Sequence, residues 1–144
     1  MYTLSKMGDK NFSKAVNEIY LGTAFNIEQY PNYLNWYFTK NIPRVLTNQG
    51  EGLFDLDALL LKGLVFIKYD EQKICTLYVS DEYRRNGLGQ KMLEESFKLL
   101  NTDKPLITIP EYKLDMFMKF IKDYGWKETG YSDKYNKKEV IFNG

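Results

Sequence analysis

The chain has 144 residues, 44% of them hydrophobic and 27% charged, with a formal net charge of +1. That is the size and composition of a single globular domain over residues 1–144, with enough apolar material for a core. The near-neutral balance leaves no broad basic footprint for nucleic acid or an anionic membrane.

There is no histidine and only one cysteine, Cys75. Ser-His, Cys-His and His-metal mechanisms are therefore excluded, as are an intrachain disulfide and a structural zinc site. No metal is expected, and a general base must be a carboxylate, a tyrosine, a lysine, a chain end or water. No run approaches the roughly 18–20 apolar residues of a membrane span. The N-terminus lacks a basic region followed by an apolar core, so no secretory signal is expected, and a reducing cytoplasm is the expected setting.

In chain order, Tyr2–Leu4 is a candidate first strand. Phe12, Val16, Ile19 and Tyr20 share one face of a helix over Asn11–Tyr20. Tyr30, Tyr33, Leu34 and Tyr37 recur at helical spacing and predict a second helix over Ile27–Lys40. Pro31 is expected in its first turn, and Pro43 is expected to end the pattern. The rings of Tyr33, Trp36, Tyr37 and Phe38 either build the core or line an acceptor pocket.

Gly50-Glu51-Gly52 reads as punctuation before an alternating strand over Leu53–Ala58. Gly63–Tyr69 is the next strand, Asp70-Glu71-Gln72 its hairpin turn, and Lys73–Val79 the third member of the meander. No connection is long enough for a crossover helix, so these strands should be antiparallel neighbours.

Leu88–Leu100 is an amphipathic helix with Leu88, Met92, Leu93, Phe97 and Leu100 inward. Leu106–Ile109 follows a strand–helix unit and should lie parallel to Lys73–Val79, with Pro110 stopping its ladder. Leu114, Phe117, Met118, Ile121 and Tyr124 mark a last helix closed by Gly125. Trp126–Tyr131 and Lys138–Phe142 read as a closing hairpin. There are no repeats, low-complexity tracts or linkers.

The stretch from Tyr78 to Gln90 carries the chemistry. An apolar strand enters it, a helix leaves it, and Arg84, Arg85, Gly87 and Gly89 lie between. Glycine lets the backbone take φ > 0 and approach a ligand closely. The first amides of the helix have no intrahelical partner and sit at the positive end of the dipole, so they favour an anion such as a diphosphate. The arginines add forked donors. A purely steric role for the glycines is the competing account. The pattern is neither a P-loop nor a dinucleotide fingerprint.

Arg84-x-x-Gly87-x-Gly89, preceded by Leu77-x-Val79 and followed by an amphipathic helix, resembles the acetyl-coenzyme A signature of the GNAT N-acetyltransferase superfamily, Gln/Arg-x-x-Gly-x-Gly/Ala. The element order β-α-α-β-β-β-α-β-α-β-β is also that family's. The likeness spans nearly the whole chain, although only the central signature is specific. Phe120–Trp126, where a helix ends in Gly followed by an aromatic, resembles the family's closing segment.

The resemblance implies an α/β (α+β) fold: a single domain with a mixed sheet of about seven strands, four helices, and parallel fourth and fifth strands that splay apart. It implies acetyl-coenzyme A as co-substrate in the gap. The pantetheine arm would run along Leu77, Tyr78 and Val79 like an added strand. The pyrophosphate would take amides of Arg85, Asn86, Gly87, Leu88, Gly89 and Gln90, with Arg84 ordering the loop.

The sequence departs from the family where its chemistry usually lies. Ile121 stands where the family often has the tyrosine that protonates the leaving thiolate. Leu114 falls near its asparagine, and Lys73 takes the place of a strand carboxylate, with Glu71 in the adjacent turn. Tyr112, at the mouth of the implied splay, is the candidate acid; a surface loop tyrosine is the alternative. Cys75 has no partnered base and reads as a small core residue. Asp55 and Asp57 either attract a cationic acceptor or form a solvated strand face.

The first reading is thus an N-acetyltransferase that passes an acetyl group to a primary amine by direct attack. The acceptor would be a small molecule or a peptide amine, with tRNA disfavoured by the near-neutral charge and a homodimer allowed. The alternatives are a catalytically degenerate GNAT-like module that holds an acyl-coenzyme A, and an interaction protein in which the turn is structural.

Overall fold

The computed structural model of the chain describes residues 1–24, 30–58, 60–134 and 138–144. The apolar alternation of the central segments produces one mixed sheet. Its strands are β1 (Tyr2–Thr3), β2 (Gly50–Asp57), β3 (Leu60–Lys68), β4 (Lys73–Val79), β5 (Leu106–Pro110), β6 (Glu128–Ser132) and β7 (Glu139–Phe142). They lie in the order β1-β2-β3-β4-β5-β7-β6. The short turns of the meander make β2, β3 and β4 antiparallel neighbours, and the helical crossover makes β5 parallel to β4, both as expected.

Four helical runs cover the sheet among the described residues: α1 (Asp9–Thr23), α2 (residues 33–46), α3 (Leu88–Leu100) and α4 (Leu114–Tyr124). Because strand side chains alternate, β2, β3 and β4 each feed two cores. Leu53, Val65, Ile67, Ile74, Ile107 and Val140 meet Met92, Leu93, Phe97 and Leu100 of α3, with α4 packed alongside. On the other face Phe54, Leu64 and Phe66 meet Val16 and Ile19 of α1 and Tyr33, Tyr37, Ile42 and Val45 of α2. This is a three-layer arrangement, helices–sheet–helices. No helix among the described residues is long and apolar enough to cross a membrane.

Several elements differ from their sequence reading. The start of the helix expected over Ile27–Lys40 lies outside the described residues at 27–29. Pro31 is not in a first helical turn; it lies in the turn just before α2, with Asn32 as the N-cap. Pro43 does not end the helix. The run widens into a π-helical turn over Tyr37–Asn41 and restarts as Ile42–Leu46, where Pro43 sits in the first turn and its missing N–H is harmless.

Tyr33 and Tyr37 are core residues, with Tyr37 Oη donating to the Val16 carbonyl at 2.6 Å, whereas Leu34 is 49% exposed. Met118, expected inward on α4, is also exposed, because the half-buried stripe that packs on the core runs through Leu114, Phe117, Phe120, Ile121 and Tyr124.

Gly50-Glu51-Gly52 is strand rather than punctuation. A Cβ at Gly50 would lie 2.6 Å from the Ile67 carbonyl, and one at Gly52 would lie 2.7 Å from the Phe66 ring. These glycines permit close packing, not a turn. Trp126 precedes β6 and plugs the core, its Nε1–H donating to the Asp103 carbonyl at 2.8 Å.

Candidate functional site

The site begins where the sheet comes apart. β4 and β5 pair only at Lys73↔Leu106 and Ile74↔Ile107. The narrow end is pinned: the Leu106 amide donates to the Gln72 carbonyl at 2.9 Å, and Gln72 Nε2 donates to the Leu100 carbonyl at 2.8 Å. Beyond Ile74 the strands diverge, β5 being held instead by β7 through Ile107↔Phe142 to Pro110↔Glu139. Although β4 lies in the middle of the sheet, only Ile74 is fully buried, and Cys75 through Val79 are half-buried.

On its other edge, β4 stays paired to β3 as far as Gly63↔Val79, with a bulge that leaves Cys75 as the extra residue. Leu77, Tyr78 and Val79 therefore sit on a strand edge whose ladder toward β5 is open. Such an edge presents backbone donors and acceptors to an added strand.

The turn lies at the wide end. A 3-10 turn over Asp81–Tyr83 reverses the chain, and Arg85 and Gly87 take left-handed conformations at φ 64° and 82°. Gly87 is the N-cap of α3, and no side chain caps it. The first intrahelical donor is the Lys91 amide, to the Gly87 carbonyl at 3.0 Å. The amides of Leu88, Gly89 and Gln90 precede that bond and point out of the helix start. Arg84 folds back on the loop: its Nε donates to the Val79 carbonyl at 2.9 Å, and its guanidinium pairs with Asp81 at 2.8 Å. It ties the strand end to the turn.

A hollow of about 280 Å³ opens at the helix start, lined by Asp55, Lys62, Tyr83, Asn86, Gly87, Leu88 and Lys91. Lys62 lies 3.9 Å from Asp55 and 5.0 Å from the centre of the Tyr83 ring. Asp57 accepts a hydrogen bond from Tyr83 Oη, which pushes the phenol up to about 12. Asp57 thus ties β2 to the turn, while Asp55 pairs with Lys62 of the neighbouring strand β3.

Tyr112 sits in a 3-10 turn over Glu111–Lys113, immediately after Pro110, and is 59% exposed with Lys113 Nζ 5.7 Å from its ring centre. Ile121 and Leu114 pack against the α3-side core. Lys73 lies at the pinned end of the gap, and Glu71 takes the Lys68 ammonium at 2.8 Å, a bond that holds its carboxyl below the usual range. Burial raises the Cys75 thiol. Among the described residues no group of metal-ligating side chains converges.

One residue escaped the sequence reading. Glu139, the first residue of β7, is 4% exposed, and Tyr30 Oη donates to its Oε2 at 3.1 Å. Val140 and Phe142 face the α3–α4 core, so Glu139 faces the α1–α2 side. The sequence signal was slight: a carboxylate opening a strand that is otherwise apolar, Val140-Ile141-Phe142.

No family model matches the chain, and no curated protein matches it. Solved structures do. Arabidopsis thaliana Naa50, in complex with the bisubstrate analogue CoA-Ac-MVNAL, is similar over 94% of this chain and 93% of that one, with TM-score 0.64 and 16% identity. The IAA acetyltransferase of Bacillus cereus is similar over 87% and 92%, with TM-score 0.62 and 9% identity. An aminoglycoside 6'-N-acetyltransferase complexed with coenzyme A is similar over 99% and 95%, with TM-score 0.56 and 13% identity. The chain has the fold of the GNAT acetyltransferases.

Proposed function

We propose that the protein is an N-acetyltransferase that moves the acetyl group of acetyl-coenzyme A to a primary amine on a small molecule or a peptide. The observation that carries this is the gap between β4 and β5, with an uncapped, glycine-started helix at its wide end. Open strand edge and free amides suit a ligand with an amide-bearing arm and a diphosphate. The structural neighbours solved with coenzyme A or a coenzyme A conjugate support the same reading.

In this reading Leu77, Tyr78 and Val79 hold the arm. The turn from Arg85 to Gln90 holds the diphosphate, and Arg84 keeps the turn in place. The neutral amine attacks the thioester carbonyl. The C–N bond forms, the C–S bond breaks, the amine's proton leaves to water, and the thiolate takes a proton from Tyr112. Backbone N–H groups of the open β4 edge steady the oxyanion.

A second reading, a module that binds the coenzyme without turnover, is favoured by the apolar packing of Ile121 and Leu114. Two measurements decide. Coenzyme A should raise the melting temperature, because a ligand of the native state stabilises it. Thiol release from acetyl-coenzyme A across a panel of primary amines should follow. A thermal shift without thiol release gives the second reading, and no shift at millimolar coenzyme A overturns both.

A further inference from the structure

Gln72 closes the hairpin between β3 and β4, its amide donating to the Tyr69 carbonyl at 3.0 Å. It takes a left-handed conformation, with φ 47°. Glycine or asparagine enters that region at less cost. Glycine has no side chain to lend, however, and asparagine is one methylene shorter. The glutamine uses its full length: Nε2 donates to the carbonyl of Leu100, the last residue of α3, at 2.8 Å. That carbonyl is among the four that a helix end leaves without an intrahelical partner. The Gln72 carbonyl meanwhile accepts the amide of Leu106, the first residue of β5, at 2.9 Å.

One residue therefore holds both ends of the connection from α3 to β5. The same connection is held from the β6–β7 side by Trp126 Nε1 on the Asp103 carbonyl at 2.8 Å and by Asn143 Nδ2 on the Pro105 carbonyl at 2.9 Å. Gln72 is the counterpart of those two on the β4 side. Next to it the strands make two pairs, Lys73↔Leu106 and Ile74↔Ile107, and then part. Two pairs are a short ladder, so the clamp beside them decides where the gap begins. With a diphosphate on the turn at the wide end and the arm along residues 77–79, the acyl end of the coenzyme points toward this vertex. The open edge over residues 75–79 spans about 16 Å at the rise of a strand. A fixed vertex is a fixed stop for the acyl chain.

We infer that Gln72 is a positioning residue that sets the acyl length: by clamping the narrow end of the gap it admits an acetyl group and turns away longer chains. This rests on the acetyltransferase reading and names the donor specificity of its coenzyme site. Gln72 acts through the two backbone pairs beside it, not by contact with the acyl group.

The test is calorimetric titration of the whole chain with coenzyme A, acetyl-coenzyme A and butyryl-coenzyme A, with no amine present. The parent should bind acetyl-coenzyme A about 10-fold more tightly than butyryl-coenzyme A, or better, as a pocket sorts ligands by methylenes. Gln72→Met keeps the stem and loses the donor. It should cut that preference about 5-fold, the worth of one neutral hydrogen bond, and leave the Kd of coenzyme A itself unchanged. Gln72→Lys returns a donor to the end of α3, where a cation also suits the helix dipole, and should restore the preference.

Equal affinity of the parent for the two acyl-coenzymes overturns the inference, with no variant needed. So does an unaltered preference in Gln72→Met. Equal loss of affinity for all three ligands in that variant overturns it as well, because it marks a tie that is structural only. A preference lost alike in the Met and Lys variants does the same, since the donor is then not what matters. No binding of coenzyme A to the parent sinks the acetyltransferase reading, whereas binding without acyl preference sinks only the role of Gln72.

Discussion

A side chain at Gly87 has two separable effects. The φ of 82° strains any L-residue there, while the space around a Cβ is open for 4 Å. Gly87→Ala therefore adds strain alone, about 1–2 kcal/mol in urea unfolding. Gly87→Asp adds the same strain and a negative charge beside the free amides. In calorimetric titration the aspartate variant should lose coenzyme A binding and the alanine variant should retain it. Unchanged affinity in a folded Gly87→Asp protein would remove the phosphate from the turn.

Tyr112 calls for the opposite design, because it is 59% exposed and its hydroxyl contributes little to stability. Tyr112→Phe should melt like the parent and release thiol roughly 10²-fold more slowly or worse, with KM for acetyl-coenzyme A unchanged. An unaltered kcat reassigns the acid. Gly87 was legible in the sequence because its role is local, set by φ and by the helix that follows. Glu139 was not, since only the pairing of β7 with β5 and the reach of Tyr30 give that carboxylate its depth.

Among the elements, α3 links core to site. Its apolar stripe was plain in the sequence, and the strand before it ends where the pattern said it would. How closely the helix lies on the sheet was not visible. A Cβ at Gly63 of β3 would stand 3.0 Å from both Leu88 Cδ2 and Met92 Cε, and 3.2 Å from Met92 Sδ. Gly63 thus lets the first turn of α3 settle onto β3. Gly63→Val should push that turn outward, costing roughly 1–3 kcal/mol by overpacking. It should also weaken coenzyme A binding, although residue 63 lies in the sheet and not in the turn. A stability loss with intact affinity would mean that the helix start is held by its own loop.

The break in α2 shows the converse limit. A proline in a helical pattern reads as a stop, but one extra residue per turn over Tyr37–Asn41 lets the run restart with Pro43 inside its first turn.

At the scale of the molecule, the sheet is two paired sections, β1 to β4 and β5 to β6, joined by the β4–β5 pairs at Lys73 and Ile74. A ligand that adds a strand in the gap would join them more firmly. Without ligand, the amides of residues 75–79 that face the gap should exchange with solvent faster than those bonded to β3. Coenzyme A should slow them and stabilise the fold by about 2.7 kcal/mol at a concentration 100 times its Kd. Stabilisation without slower exchange on β4 would place the ligand on the turn alone.

The sequence by itself determined what depends on neighbours in the chain: the extent of β4 and the apolar stripe of α3, the antiparallel meander forced by short turns, and the conformational freedom at Gly87. Absence of histidine likewise settled which mechanisms were closed. The resemblance implied that β4 and β5 splay; only the tertiary structure decided that they part after two pairs, that Gly50, Gly52 and Gly63 serve close packing, and that Glu139 is buried with the Tyr30 hydroxyl. Each of these is a distance between segments far apart in sequence, and such distances are fixed by how the two cores pack against the sheet, not by any local preference of the chain.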